Sequence, residues 1–139
     1  MSTKPIVAIT MGDPAGIGPE IVVRALADPL VQQAAFCHVV GSRSVLEDAC
    51  KGRGLPATIL ESQWACVEDV GSVEAGTYHY GEISAECGVA SFEYIKKAIE
   101  LALAGKVLAV ATAPINKESL RAGSIPFIGH TEIFADQYS

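Results

Sequence analysis

Two short apolar runs constrain the fold of this chain more than any other feature. Residues 5–10 read Pro-Ile-Val-Ala-Ile-Thr, and residues 107–112 read Val-Leu-Ala-Val-Ala-Thr. Because their apolarity is continuous instead of alternating, both runs predict strands that are buried on both faces, as in a parallel sheet. Helical patterns lie between them, and strands that alternate with helices favour an α/β fold.

A long helix is predicted at residues 84–104. Apolar side chains recur there at steps of three, three, four and four residues, which places them on one face of a helix. Ser84 is a suitable N-cap, and Gly105 is a suitable end. The residues of the predicted apolar face are Val89, Phe92, Ile95, Ile99 and Leu103.

Shorter elements fill the rest of the pattern. A helix is predicted to begin at Pro19 and to end before Asp28-Pro29, because proline suits a first helical turn and disfavours helix in the residue before it. Residues 61–83 show no regular pattern, and we expect a hairpin or an irregular excursion there. The remaining predictions are strands at 36–40 and 57–60, a helix from Ser42 or Ser44 to Cys50 or Lys51, helical turns at 116–121, a loop or short edge strand at 125–128, and a last helix capped by Thr131.

Length, charge and cysteine spacing restrict the class of protein. The 139 residues fit one domain, and half of them are apolar. The formal charge of −6 excludes a general nucleic-acid or membrane-surface binder but leaves a small anionic ligand open. No stretch approaches the ~20 apolar residues that span a bilayer. The four cysteines form no C-x-x-C pattern, and no signal peptide is visible, so we expect a cytoplasmic protein with reduced thiols.

The first segment with possible chemistry is Met11–Glu20, between a predicted strand and a predicted helix. It reads Met-Gly-Asp-Pro-Ala-Gly-Ile-Gly-Pro-Glu. Loops at the carboxyl ends of parallel strands are the usual ligand sites of α/β proteins. The segment is not a dinucleotide fingerprint, because Ile21 occupies the third glycine position, and it is not a P-loop, because no Gly-Lys-Ser/Thr follows. Asp13 therefore either binds a hydroxyl or a cation or braces a tight turn.

The second segment follows the apolar run at 107–112. Thr112, Asn116 and Lys117 supply a hydroxyl, an amide and a cation around a predicted helix start. That set suits a phosphate or a carboxylate. The pattern is weak by itself, because most surface lysines are simply solvated.

The third segment reads Gly-His-Thr-Glu at residues 129–132. His130 is a candidate metal ligand, a candidate hydrogen-bond donor to a substrate oxygen, or a structural histidine. One histidine cannot form a metal site, and His38 and His79 have no ligand-like spacing to it. Glu132 lies in a predicted first helical turn, where its negative charge interacts favourably with the helix dipole.

These segments together resemble the 4-hydroxythreonine-4-phosphate dehydrogenase family of pyridoxal phosphate biosynthesis. The resemblance rests on residues 11–20, 112–123 and 127–132, and on the Gly-x-x-Ser-Ala-x-x-Gly of residues 81–88. It implies an isocitrate/isopropylmalate dehydrogenase-like fold. Because family members are more than twice as long, it also implies that residues 1–139 are only the N-terminal part of a larger two-domain enzyme. That enzyme would oxidise and decarboxylate a 4-phosphorylated hydroxy acid with NAD or NADP and a divalent metal (Zn, Mg or Co).

The resemblance also implies which residues act. His130 and Thr131 match substrate-binding positions, and a neutral His130 would donate to a substrate oxygen. Lys117 matches a lysine near the anionic end of the substrate, and Gly12 and Asp13 match the first loop, without a defined role. The metal ligands, the rest of the phosphate site and most of the cofactor site are expected outside this chain. Family active sites are completed across a dimer, so the full-length protein is expected to be a homodimer.

Other functions stay open at this point. Relatives within the family act on 4-phosphorylated threonate or erythronate, and others act on aromatic cis-dihydrodiols. A different class is a non-catalytic module that keeps the anion-binding loops. The isolated chain is expected to be inactive as a dehydrogenase.

Overall fold

The sheet is parallel and has four strands. The computed structural model describes residues 4–71, 73–127 and 129–138. Its strand order is β3-β2-β1-β4. The first three strands are added to the sheet in one direction, and the chain then crosses back to place β4 on the other side of β1. The order of the strands therefore reverses between β1 and β4, although all four strands are parallel. The predicted α/β class is confirmed. The strands are β1 (Ile6–Thr10), β2 (Phe36–Gly41), β3 (Ala65–Asp69) and β4 (Ala109–Thr112).

Helices connect the strands and cover the sheet. Because parallel crossovers are right-handed, the helices after β1 and β2 lie on one face, and the long helix between β3 and β4 lies on the opposite face. No helix in the described ranges is long and apolar enough to cross a bilayer. The helices are α1 (Gly18–Leu26), α2 (Pro29–Ala34), α3 (Arg43–Gly52), α4 (Ala85–Leu103), α5 (Lys117–Ala122) and α6 (His130–Tyr138), with a 3₁₀ helix at Ala57–Leu60.

Side-chain caps fix several helix starts. The Ser84 hydroxyl accepts a hydrogen bond from the Cys87 N–H at 3.2 Å, which confirms the predicted start of α4. Ser42 caps α3 in the same way through Val45, at 3.4 Å. Asn116 caps α5, because its Oδ1 accepts from the Ser119 N–H at 3.0 Å. Local chemistry therefore sets the directions of the helices that frame the site.

The long helix α4 buries a broader surface than its predicted stripe. Tyr94 and Ala98 are fully buried in the main core, whereas Val89 and Leu103 of the stripe are 37% and 62% exposed. The stripe contributes Ile95 and Ile99 to a second cluster, in which they pack against Ile133 of α6. α4 therefore packs against the sheet, α5 and the last helix.

The third strand lies later in the chain than predicted. Residues 57–60 form a 3₁₀ helix, and the strand is Ala65–Asp69, inside the segment without a readable pattern. It pairs in parallel with the outer side of β2. Its apolar run is short, because only Ala65–Val67 are apolar and Glu68 and Asp69 end it. Tertiary pairing, and not local composition, makes it a strand.

Two other predictions need correction. β4 is an outer strand, so Ala109, Ala111 and Thr112 are exposed, in contrast to the predicted burial on both faces. The last helix begins at His130 and not after Thr131, because the Gly129 carbonyl already accepts from the Ile133 N–H at 3.3 Å. Residues 125–127 form a loop, and the last position of the predicted 125–128 segment lies outside the described residues.

Candidate functional site

The loops after β1 and β4 meet at the point where the strand order reverses. In open α/β sheets this switch point is where the carboxyl ends of the strands open a crevice for ligands. The Asp13 N–H donates to the Pro114 carbonyl at 3.0 Å, and the Ala113 N–H donates to the Thr10 carbonyl at 3.1 Å. The first two segments singled out in the sequence are therefore joined by main-chain hydrogen bonds.

Glycines make this close approach possible. Gly12 has a φ of +75°, and a Cβ there would lie 2.3 Å from the Pro114 carbonyl oxygen. A Cβ on Gly18 would lie 2.1 Å from the Met11 carbonyl oxygen. Both distances are far below van der Waals contact, so only glycine fits at either position. The predicted site residue Gly12 thus shapes the loop through its backbone.

Asp13 is a buried acid at the centre of the loop. It is 3% exposed, and its Oδ1 accepts from the Ala15 N–H at 2.7 Å. Burial raises the pKa of this carboxyl above its usual value, while the Ala15 N–H and a hydrogen bond from the Ser119 side chain act in the opposite direction. Asp13 braces the turn, which is one of the two roles that its sequence context left open.

A small cleft opens between these loops. Its volume is 180 Å³, and its polar walls come from Asp13, Glu82 and Asn116. A second cleft of 440 Å³ shares residues 15–17 with it and reaches Tyr80 and an Arg53–Glu20 ion pair of 2.5 Å. Together the two clefts offer a mixed polar and apolar surface beside the switch point.

His130 faces the second loop from the start of α6. Its imidazole hydrogen-bonds the backbone of Ala113, and its Nε2 is buried without a hydrogen-bond partner. Burial lowers the pKa of this imidazole, so the ring is neutral at pH 7. Donation from a neutral His130 to a substrate oxygen, which the family resemblance implies, stays a prediction.

The other two predicted site residues are at the surface. Lys117 is the first residue of α5, and Thr131 is the second residue of α6. Both are exposed. The structure therefore brings Gly12, Asp13 and His130 together around residues 113–116, and it places Lys117 and Thr131 on the helix starts that border this loop.

Sequence reasoning missed the role of Ser119. This residue is fully buried, its Oγ accepts from the Ser84 N–H at 3.0 Å, and its side chain lowers the pKa of Asp13 against the effect of burial. A single serine inside a short polar helix carries no distinctive pattern. The one available signal is its position three residues after the cap Asn116, which places its N–H in the first turn.

Metal-ligating residues do not cluster in the described ranges. Within residues 4–71, 73–127 and 129–138, no three His, Cys, Asp or Glu side chains are close enough together to hold a metal ion. His38, for example, lies on the sheet and bonds Glu68, with 2.8 Å between Nε2 and Oε1.

Comparison with known proteins identifies relatives over nearly the whole chain. A family model described as pyridoxal phosphate biosynthetic protein PdxA matches residues 33–139. The chain is 44% identical to a protein of Symbiobacterium thermophilum provisionally named D-threonate 4-phosphate dehydrogenase, over 98% of this chain and 44% of that protein. A protein of the same provisional name from Fusobacterium nucleatum is 45% identical, over 98% and 43%.

A solved structure has the same arrangement of elements. The crystal structure of a 4-hydroxythreonine-4-phosphate dehydrogenase from Burkholderia phymatum superimposes with a TM-score of 0.88 at 36% identity, over 98% of this chain and 44% of that one. The chain thus spans less than half the length of the relatives it matches. The resemblance inferred from the motif segments is confirmed.

Proposed function

Since the chain belongs to the PdxA family of pyridoxal phosphate biosynthetic proteins, we propose that it forms the first part of the substrate site of a dehydrogenase for a 4-phosphorylated hydroxy acid. The proposed substrate is D-threonate 4-phosphate. The identities of 44% and 45% to proteins provisionally named for that substrate, against 36% to a 4-hydroxythreonine-4-phosphate dehydrogenase, support this choice. 4-Hydroxythreonine 4-phosphate is the second candidate.

The fold is the N-terminal part of an isocitrate/isopropylmalate dehydrogenase-like fold. We propose that residues 1–139 belong to a larger enzyme, because the chain spans about 44% of the length of its relatives. The rest of that enzyme would supply the remaining substrate contacts. As in the family resemblance, we propose that the whole protein is a cytoplasmic homodimer, and sedimentation of the full-length protein tests the dimer.

The buried Nε2 of His130 is the observation that carries the proposal. It has no hydrogen-bond partner, and its ring contacts the backbone of Ala113, the residue before Pro114 in the wall of the smaller cleft. A substrate hydroxyl that bonds Nε2 would be oriented by a ring that contacts Ala113. Such a contact also discriminates against analogues that lack the hydroxyl, because a buried polar atom would be left unpaired.

Thr131 and Lys117 are proposed to add affinity. The Thr131 hydroxyl follows His130 directly and is exposed, so it is available to a substrate carboxylate or hydroxyl. The ammonium of Lys117 lies at the start of α5 and suits the phosphate as a point charge. Asp13 lines the same crevice, and burial raises the pKa of its carboxyl.

Oxidation of a secondary alcohol needs a hydride acceptor, and we propose NAD or NADP with a divalent metal, as in the family resemblance. The described residues do not form a complete site for either group. The loop at 11–18 lacks the dinucleotide fingerprint, and the described side chains include no metal-ligand cluster. We therefore derive no step through the cofactor or the metal from this chain.

Assays of the full-length protein test the proposed function. We expect reduction of NAD or NADP with D-threonate 4-phosphate and less activity with 4-hydroxythreonine 4-phosphate or an aromatic cis-dihydrodiol. The purified 139-residue chain should show no turnover. A full-length protein that is stabilised by the phosphorylated acid, by about 2.7 kcal/mol at a hundredfold excess over Kd, but never reduces the cofactor would instead be a non-catalytic anion-binding module.

A further inference from the structure

We propose that the 440 Å³ cleft binds a flat, neutral heteroaromatic ring with N–H donors, the adenine end of the dinucleotide that accepts the hydride. The cleft lies between the start of α1, the second half of α3 and residues 80–81. The inference rests on the proposed function for the identity of the acceptor, and it deepens that function by assigning one end of the acceptor to this chain. The side chains that carry it are Ile17, Asp48 and Tyr80.

The cleft has the size of a ligand site and adjoins the substrate crevice. Its volume falls within the range of about 300–1,000 Å³ that is usual for small-molecule sites. It shares residues 15–17 and Gly81 with the 180 Å³ cleft that reaches residues 114–116. Hydride transfer needs the nicotinamide next to the substrate, in the smaller cleft. The adenine is therefore the flat ring of the same molecule that is left for the larger cleft.

Two exposed apolar side chains line the cleft. Ile17 and Tyr80 are each more than half exposed, and they lie on different elements of the fold. The Tyr80 ring meets the Tyr78 ring at 81°, with 5.6 Å between the centroids, so Tyr78 covers at most one face of it. A base can stack on the other face, because aromatic side chains stack with flat rings in an offset geometry.

The charges in the cleft favour a neutral base over a phosphate. Arg53 is paired with Glu20, with 2.5 Å between Nη1 and Oε1. Among the described residues that line the cleft, Asp48 is the carboxylate without a cationic partner. A carboxylate repels a phosphate but accepts from N–H groups such as the exocyclic amine of adenine. The Tyr80 hydroxyl donates to Asp48 Oδ2 at 3.4 Å, so the acceptor and the ring stand side by side.

The test measures the affinity of the full-length protein for NAD in the absence of substrate. Calorimetric titration compares wild type with Tyr80→Ala and with His79→Ala, which changes the preceding exposed residue outside the lining of this cleft. We expect the Kd to rise about tenfold in Tyr80→Ala through lost stacking and to stay unchanged in His79→Ala. Tyr80→Phe keeps the ring and should recover most of the affinity. An unchanged Kd in Tyr80→Ala, or an equal loss in His79→Ala, would overturn the proposal.

Separate halves of the dinucleotide identify the end that binds. Adenosine carries no phosphate, so an anion-binding loop cannot account for its binding. Its Kd should rise in Tyr80→Ala, whereas the Kd of nicotinamide mononucleotide should not. The reverse pattern would assign the nicotinamide to the cleft and contradict the proposal, and so would a wild-type protein that does not bind adenosine.

A second pair of variants tests the polar contact. Asp48→Ala removes the carboxylate, and Glu47→Ala removes the neighbouring exposed carboxylate of α3, which does not line the cleft. The Kd of adenosine should rise about tenfold in Asp48→Ala, because a hydrogen bond to a charged group is lost, and should stay unchanged in Glu47→Ala. Equal affinities in the two variants contradict the assignment.

Binding and turnover separate the two claims. A protein that oxidises D-threonate 4-phosphate with NAD, but binds NAD equally well as wild type and as Tyr80→Ala, refutes this site and leaves the proposed function standing. A protein whose adenosine affinity depends on Tyr80 and Asp48, but which never reduces NAD with a phosphorylated acid, supports the site and refutes the function.

Discussion

Two regions border the crevice, and they differ in how closely their glycines approach neighbouring atoms. The first is the carboxyl-edge cluster, defined as residues 11–18, 113–119 and 129–132, where a Cβ on Gly12 or Gly18 would overlap main-chain atoms. The second is the 73–83 segment, where a Cβ on Gly76 or Gly81 would meet nothing within 4 Å. Tyr80 and Ile83 of this second segment are 58% and 59% exposed.

The 73–83 segment is attached to the rest of the fold with less steric constraint than the residues around Gly12 and Gly18. Two hydrogen bonds help to hold the 73–83 segment to the body: the Gly81 N–H donates to the Ala15 carbonyl at 2.8 Å, and the Ala75 N–H donates to Ser44 Oγ at 3.0 Å. Around Gly12 and Gly18 the cluster is fixed by close main-chain contacts and therefore holds the neighbouring polar atoms in place. We infer that the cluster sets the geometry of recognition and that the 73–83 segment forms one wall of the clefts.

The largest expected effect is a contrast between two glycines with positive φ. Gly12→Ala should lower the free energy of unfolding by about 4 kcal/mol, because overlap with the Pro114 carbonyl adds to strain at a φ of +75°. Gly76→Ala has similar strain, with a φ of +85°, but open space, so about 1 kcal/mol is expected. Urea unfolding of both variants measures the contrast. Equal losses would show that the cluster is no more tightly packed than the 73–83 segment.

The next effect is a difference in sign between two helical glycines. A Cβ on Gly88 of α4 would lie 2.0 Å from the Ser119 carbonyl oxygen. Gly88→Ala should therefore lower the free energy of unfolding by about 2 kcal/mol, even though alanine has the higher helix propensity. Gly52, at the end of α3, meets nothing within 4 Å, and Gly52→Ala should stabilise by about 0.5 kcal/mol. Thermal unfolding of the pair checks both signs. A stabilising Gly88→Ala would contradict the close approach of α4 and α5.

The smallest effect is a pH dependence of opposite sign in two regions. The pKa of Asp13 is raised by burial, so its contribution to stability is present below its unfolded pKa and is lost as the pH rises through the folded value. Bonds from His38 and Lys97 lower the pKa of Glu68 on the sheet despite its partial burial. Its contribution is therefore present at neutral pH and lost as the pH falls.

The corresponding variants are Asp13→Asn and Glu68→Gln. Unfolding free energies at about pH 4 and about pH 7 give the change for each chain. The free energy of unfolding of Asp13→Asn, taken relative to wild type, should be higher at the higher pH. That of Glu68→Gln, taken relative to wild type, should be higher at the lower pH. The same sign for both variants would mean that Asp13 is not penalised by burial.

The cluster was largely predictable from the sequence because its chemistry is local. The glycines and prolines of residues 11–19 mark a turn after a strand, and Ser84 marks the start of α4 through its own cap. Motif resemblance then connected these segments to a family. The contact of Ser119 Oγ with the Ser84 N–H could not be predicted, since nothing in the spacing of two distant polar residues indicates that they meet.

The strand at Ala65–Asp69 and the exposure of β4 were not predictable for a related reason. Both depend on which strands become neighbours. Residues 65–69 form a strand because β2 offers an unpaired side, and β4 is exposed because it is the outermost strand. The neighbour of His130 was likewise not predictable, since Ala113 lies seventeen positions earlier in the chain.

The central claim is that the carboxyl-edge cluster, through His130, recognises the substrate. The direct test is steady-state kinetics of the full-length protein with D-threonate 4-phosphate, comparing His130→Gln with His79→Gln, which replaces an exposed histidine of the 73–83 segment. We predict that kcat/KM falls about a hundredfold in His130→Gln, equivalent to about 2.7 kcal/mol, and is unchanged in His79→Gln. Wild-type kinetics in His130→Gln, or an equal loss in both variants, would contradict the claim.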